Sequence, residues 1–353
     1  MFLIDAHQDI AYNAVCFGRD YRISALKKRQ MEGARSLNGA ATLGLSEALA
    51  GRVALVFATI FTAPHKKDSS WSAAMYETPQ EAYKAGMAQL DYYQRLTDED
   101  PRLRLIRSAA DLDAVLATWE DGTSIKDRVQ GLVLLMENAD PILEPKQFEE
   151  WYERGVRIVG PAWQASRYAG GTGMPGGLTT LGHDLLDVMR GLNAILDLSH
   201  IAEEAFFQAV DQYDGVIIAS HSNPRRFCDT DRHLSDEMIR ALAERDGVMG
   251  AVLYNRFLRL GWTTSDGKHA ITMQTVLEVV DHICQVTGSA KHIGIGTDFD
   301  GGFGAEAIPS EFDTIADLWA LKDALANRGF SDEDVSGILG GNMLRQLRRS
   351  LEG

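Results

Sequence analysis

Eight short apolar runs recur along the chain, separated by longer segments of helical period: Phe2–Ala6, Val53–Ile60, Gly131–Met136, Val156–Pro161, Ala194–Leu198, Val216–Ala219, Val248–Leu253 and His292–Gly296. Each is too short for a helix, and most are rich in Val, Ile and Leu. Runs without polar alternation predict strands buried on both faces, which is the signature of a parallel sheet.

The intervening segments carry apolar residues at three- and four-residue steps. They predict helices over Glu81–Leu96, Ala109–Trp119, Lys146–Arg154, Gly182–Gly191, Ala202–Tyr213, Ser235–Arg245 and Thr272–Val286, with two more at Ile315–Asn327 and Asp332–Arg349. Ser235 and Ser331, each followed by acidic residues, read as N-caps. Eight strands alternating with helices predict an α/β fold, a (β/α)₈ TIM-type barrel, occupying 1–353 as a single domain with loop insertions and C-terminal helices. An open doubly wound sheet is the competing architecture, but no Gly-x-Gly-x-x-Gly turn follows the first strand. Gly-rich Ala169–Gly177 reads as a flexible loop overhanging the end of the barrel where active sites lie.

Charge narrows the function. Thirty-five basic and 50 acidic residues leave a formal net charge of −15. That field repels phosphate backbones and anionic membrane surfaces, so neither nucleic acid nor membrane is expected as a partner. Cys16, Cys228 and Cys284 show no paired spacing, which argues against a disulfide framework or a cysteine zinc cage. No basic n-region or apolar h-region opens the sequence, and no long apolar stretch suits a membrane helix. The expected location is cytoplasmic.

Among the nine histidines, His7, His200 and His221 fall just past the ends of predicted strands, as do Asp9, Glu137 and Asp298. His65, His183, His233, His269, His282 and His292 are expected in surface or capping roles. In an extended chain alternate residues share a face, so His7 and Asp9 can address one cation. Glu137 closes an apolar run, where a bare carboxylate would need an Arg or a metal. Three imidazoles and two carboxylates suit one or two borderline-soft divalent cations, zinc first. Asp298 remains as a proton carrier, with Asp300 as its understudy.

These segments carry a resemblance. Asp5-Ala6-His7-Gln8-Asp9, Glu137-Asn138, Asp197-Leu198-Ser199-His200, Ser220-His221-Ser222, Gly294-Ile295-Gly296-Thr297-Asp298-Phe299-Asp300-Gly301 and Ile338-Leu339-Gly340-Gly341-Asn342-Met343-Leu344-Arg345 resemble, in order, the membrane (renal) dipeptidase family of the amidohydrolase superfamily. The resemblance implies two zinc ions per chain bridged by Glu137, with His7 and Asp9 completing one site and His200 and His221 the other. It also implies a metal-bridging hydroxide as nucleophile, consistent with zinc lowering a bound water's pKa to about 7. Asp298 would move the proton to the departing amine. Arg232 would bind the substrate carboxylate and Tyr254 would line the pocket. A homodimer is compatible with this reading.

One stretch departs from the family. Where the family places a His-Asn pair after the fourth strand, this chain has Trp163-Gln164. An indole donates one hydrogen bond and carries no proton. Two enzyme readings therefore stand: a zinc dipeptidase acting on small dipeptides, including those with a C-terminal D-residue, or another amidohydrolase acting on an N-acyl amino acid, lactone or cyclic amide. A non-catalytic metal-binding scaffold is disfavoured by the proton carrier Asp298.

Overall fold

The computed structural model describes residues 1–353 except 34, 35, 37, 66–73, 165 and 353. Eight parallel strands close on themselves: β1 Leu3–Gln8, β2 Val53–Ile60, β3 Gln130–Met136, β4 Val156–Val159, β5 Ile195–Asp197, β6 Ile217–Ala219, β7 Val248–Ala251 and β8 Ile293–Ile295. The ring closes where Asp5 of β1 pairs with Ile295 of β8. Its longest register joins β2 to β3, from Leu55 opposite Gly131 to Ile60 opposite Met136. Every residue of the eight strands is buried. Helices cover the outer face and side chains fill the interior, so neither face meets water and the runs do not alternate.

The predicted runs and strands coincide, with shifted ends: β1 runs past Ala6 to Gln8, so His7 lies within it rather than beyond it, and β3 starts one residue early at Gln130. β4 stops at Val159, short of Pro161, which has no N–H to offer the ladder. A further strand, Leu103–Leu105, pairs with the first half of β3, below the point where β4 joins it.

The helices also follow the pattern, with refined ends. Ser235 caps Asp236–Glu244 by accepting from Met238 N at 3.2 Å. Ser331 does the same for Asp332–Ser336 through Asp334 N at 3.1 Å. The single C-terminal helix expected over Asp332–Arg349 is interrupted by a π turn at Gly337–Gly341. The turn lets Gly340 lie against β1, where a Cβ would come 3.0 Å from Ile4 Cγ1. The next residue but one, Asn342, ties the tail to β8 by donating to the Ile293 carbonyl at 2.7 Å.

The Gly-rich segment corrects one expectation. It forms an antiparallel hairpin, Ala169–Gly171 against Met174–Leu178, rather than an irregular loop. Its glycines permit close backbone approach: a Cβ on Gly171 would stand 2.4 Å from the Gln164 carbonyl oxygen. No described helix is long and apolar enough to cross a membrane.

Candidate active site

Parallel strands direct all their C-terminal ends to one rim, and the chemistry-bearing residues gather there. His7 lies in β1 and Asp9 just past it; Glu137 directly follows β3. His200, His221 and Asp298 lie two or three residues beyond β5, β6 and β8. His200 and Asp298 hold left-handed backbone, at φ 64° and 61°. For residues other than glycine such conformations cost about 1–3 kcal/mol and concentrate at functional sites.

Glu137 stands at the centre. Its Oε2 lies 3.7 Å from His7 Nε2, while Oε1 lies 3.3 Å from His200 Nε2 and 3.4 Å from His221 Nε2. The two oxygens thus face two different groups. His7 Nε2 is also 3.9 Å from Asp9 Oδ2 and 3.9 Å from Asp298 Oδ1. His7, Asp9 and Asp298 form one cluster with metal-ligand spacing, and His7, Glu137 and His221 form another.

The imidazoles are oriented from behind. Ser220 Oγ lies 2.6 Å from Asp197 Oδ2 and 2.8 Å from His221 Nδ1. The hydroxyl has one proton, which goes to the carboxylate, so His221 Nδ1–H must be the donor and Nε2 keeps its lone pair. Thr172 of the hairpin does the same for His200. Its hydroxyl lies 3.0 Å from His200 Nδ1 and 3.3 Å from the His200 carbonyl, to which it donates. The Nε2 atoms of His200 and His221 then face each other across 3.1 Å.

Burial dominates the electrostatics. It pushes Glu137 and Asp298 far above the usual carboxylate range, and Asp9 adds repulsion to both. It pulls His7, His200 and His221 well below the usual imidazole range, with Arg232 reinforcing the shift. Burial raises the neighbouring acids too, Asp5 to about 6, but these are hydrogen-bonded. Asp5 accepts from Thr297 N, Thr297 Oγ1 and Gln8 Nε2, and Asp197 from the N–H and hydroxyl of both Ser199 and Ser220. Among the described residues, the Glu137 and Asp298 carboxylates accept no hydrogen bond, and buried His7 Nε2 has no hydrogen-bonding partner. Unsatisfied acids and opposed lone pairs are costly unless cations complete them. The residues present therefore fit divalent metal.

The rim opens into a cavity of about 360 Å³. Arg232 lines it, 4% exposed, held by Ser222 Oγ at 3.1 Å and the His221 carbonyl at 2.7 Å. Burial pulls this guanidinium down, opposed by the charges of Asp298, Glu137 and Asp197. No carboxylate pairs with it within 4.0 Å among the described residues, and its Nε has no hydrogen-bonding partner. Tyr254 lines the cavity beside it, stacked on Phe303 at 4.0 Å. Another part of the lining is aromatic: Trp163 meets Phe61 edge-on at 5.2 Å and Phe61 meets Tyr12 at 5.3 Å.

All nine site residues expected from the sequence reach this rim or cavity. Two other readings need correction. Asp300 turns away, accepting from Thr42 N and Thr42 Oγ1 at 2.7 Å each, so it is not poised to exchange a proton with a substrate. His233 is fully buried rather than a surface residue, edge-on to Phe257 at 4.9 Å. The orienting residues Thr172 and Ser220 and the wall residue Phe61 had no role assigned from sequence. Ser220 could have been flagged as the hydroxyl preceding a strand-end histidine; Thr172 and Phe61 carry no comparable signal.

A closed parallel barrel with imidazoles and carboxylates converging at its C-terminal mouth defines a hydrolase barrel of the metal-dependent class. Comparison with known proteins narrows this: the family model for membrane dipeptidase, peptidase family M19, matches residues 1–351, and the chain belongs to that family. It is 30% identical over 259 residues to an uncharacterised protein in the pqqA 5′ region of Klebsiella pneumoniae, covering 70% of this chain and 89% of that one. It is 32% identical over 206 residues to an uncharacterised dipeptidase of Schizosaccharomyces pombe, covering 57% of this chain and 48% of that protein. Among solved structures, a Rhodobacter sphaeroides metallopeptidase liganded with a phosphinate mimic of L-Ala-D-Ala superposes with a TM-score of 0.80 at 22% identity. That match covers 99% of both chains and establishes the shared fold.

Proposed function

We propose that this protein is a zinc-dependent dipeptidase that cleaves small dipeptides bearing a free C-terminal carboxylate. One observation carries the substrate class: Arg232, buried and without a carboxylate partner, faces the same cavity as the imidazole–carboxylate cluster. A buried guanidinium fork left open in this way suits a planar carboxylate.

His7 and Asp9 would hold one metal and His200 and His221 the other, with Glu137 shared between them. Two zinc ions would supply an activated water near neutral pH and polarise the scissile carbonyl. The chain's own residues do the rest. Arg232 anchors the C-terminal carboxylate and fixes the register of the peptide bond over Glu137. Asp298, whose carboxylate lies 3.9 Å from His7 Nε2 at the edge of the cluster, accepts a proton from the attacking water and delivers it to the departing amine. The Trp163–Phe61 wall keeps bulk water from one side of the reacting centre and leaves room only for small side chains near the scissile bond. The Rhodobacter sphaeroides protein's L-Ala-D-Ala mimic supports including the L,D series among the substrates.

The second reading, hydrolysis of an N-acyl amino acid, lactone or cyclic amide on the same metals, is favoured by Trp163 in place of the family's histidine. Hydrolysis assays over L,L- and L,D-dipeptides, their C-terminal amides and N-acyl amino acids, with and without added zinc, separate the two. Cleavage of free-acid dipeptides in preference to their amides supports the dipeptidase. Equal rates on acid and amide overturn it.

A further inference from the structure

A second arginine faces the same cavity. Arg256 lines it from the exposed side, on the short helix Asn255–Leu258 that follows β7. Its backbone is firmly set. Asn255, fully buried, donates to the Ile308 carbonyl at 3.1 Å, and Phe257 N donates to the Tyr254 carbonyl at 2.9 Å. The guanidinium stands beside the Tyr254 phenol and opposes the upward pull of burial on that hydroxyl.

Its charge is left open. The chain holds 50 acidic residues against 35 basic ones, and arginines such as Arg19, Arg22, Arg29 and Arg328 each meet a carboxylate at 2.6–2.9 Å. Among the described residues no carboxylate lies within 4.0 Å of Arg256. Arg232 and Arg256 also share a neighbour. The Arg232 guanidinium sits 5.3 Å from the Phe257 ring, and Phe257 directly follows Arg256 in sequence. Both positive charges therefore border the side of the cavity that would receive the carboxyl end of a substrate. A residue whose α-carboxylate sits on Arg232 would carry its own side chain toward the mouth, where Arg256 waits.

We propose that Arg256 forms a second carboxylate subsite, and that the preferred dipeptides carry aspartate or glutamate as their C-terminal residue. This rests on the dipeptidase reading and specifies its substrate. An Arg–carboxylate pair at the exposed edge of a cavity is worth no more than a surface ion pair and is open to screening by salt.

The test compares kcat/KM for Ala-Glu, Ala-Gln and Ala-Lys, with L- and D-forms of the second residue, on the zinc-loaded full chain. The wild type should favour Ala-Glu over Ala-Gln by about three- to fivefold, mainly through KM, and the ratio should shrink as salt rises from about 0.05 to about 0.5 M. Arg256→Gln should bring the ratio close to one. Arg256→Glu should invert it and place Ala-Lys ahead of Ala-Glu, an outcome that a merely structural role for Arg256 does not produce. Cleavage of Ala-Gln without preference for Ala-Glu, or a preference that survives in Arg256→Gln, overturns the subsite and leaves the dipeptidase standing. Failure to cleave any dipeptide of the panel overturns both.

Discussion

The Ser220 hydroxyl lies 2.6 Å from Asp197 Oδ2 and gives that carboxylate its single proton. This small commitment determines which nitrogen of His221 is free to bind a cation. Asp197→Asn preserves size but can present an amide N–H to Ser220, turning the serine proton toward His221 Nδ1 and moving the imidazole proton to Nε2. Metal affinity should fall by about 10–100-fold, the usual cost of losing an orienting partner behind a ligand. Competition with a calibrated chelator measures it, alongside a thermal melt to confirm folding. Unchanged affinity in a folded variant would remove Asp197 from this role.

Glu137 offers one oxygen to His7 and the other to His200 and His221. Purified protein should bind close to two equivalents of divalent metal, and a chelator should abolish activity that zinc restores. Glu137→Gln should lose both metals together rather than one. Full metal content and rate in that variant, by elemental analysis and assay, would show that the residue does not bridge.

Asp298 is predicted to move protons. Asp298→Asn should keep metal and substrate affinity while turnover falls by about 10²-fold or more. Gly301→Ala supplies an independent check, because a Cβ there would stand 2.1 Å from Asp298 Oδ1 and force the carboxylate aside. Both variants should lose kcat with metal retained. Near-wild-type turnover in Asp298→Asn would assign the proton elsewhere.

Arg232→Ala should leave the substrate carboxylate unmatched and cost about 2–3 kcal/mol in kcat/KM, the scale of a hydrogen bond to a charged group. The same change should have little effect on the C-terminal amide of the dipeptide. Steady-state rates for acid and amide with both proteins measure the difference. An equal loss on acid and amide would point to a structural part for Arg232 in holding the His221 carbonyl.

Trp163 closes the cavity on the side of Phe61. Trp163→Ala should widen substrate acceptance, raising kcat/KM for dipeptides with bulky residues at the scissile bond relative to Ala-Ala. If the ratio does not change, the indole does not limit substrate size.

The barrel was legible because its strands are dry on both faces, so Val53–Ile60 and Gly131–Met136 read as unbroken apolar runs. Segments whose structure depends on contacts rather than pattern were not. Ala25–Glu32 is a helix, yet its sequence is mostly polar, with only Ala25 and Lys28 buried, so no apolar stripe announces it. The hairpin at Ala169–Leu178 hides behind glycines that serve close backbone packing. The site's position came from strand ends, which sequence shows well. Its finer settings did not, because the Thr172–His200 contact spans 28 residues and the Ser220–Asp197 contact 23. Asp300 stood in reserve as proton carrier because the two acids of Asp298-Phe299-Asp300 adjoin in sequence, and only the fold shows that Asp300 is taken up by Thr42.

Asp5 of the first strand grips Thr297 just beyond the last, with His7 and Asp298 on either side of that clasp. In the order of biosynthesis these partners are almost a whole chain apart. A nascent polypeptide that has emerged only as far as β7 carries His7, Asp9, Glu137, His200 and His221, but neither Asp298 nor the strand that seals the ring. The ring and the cluster at its mouth are therefore completed together, by the last strand to be made.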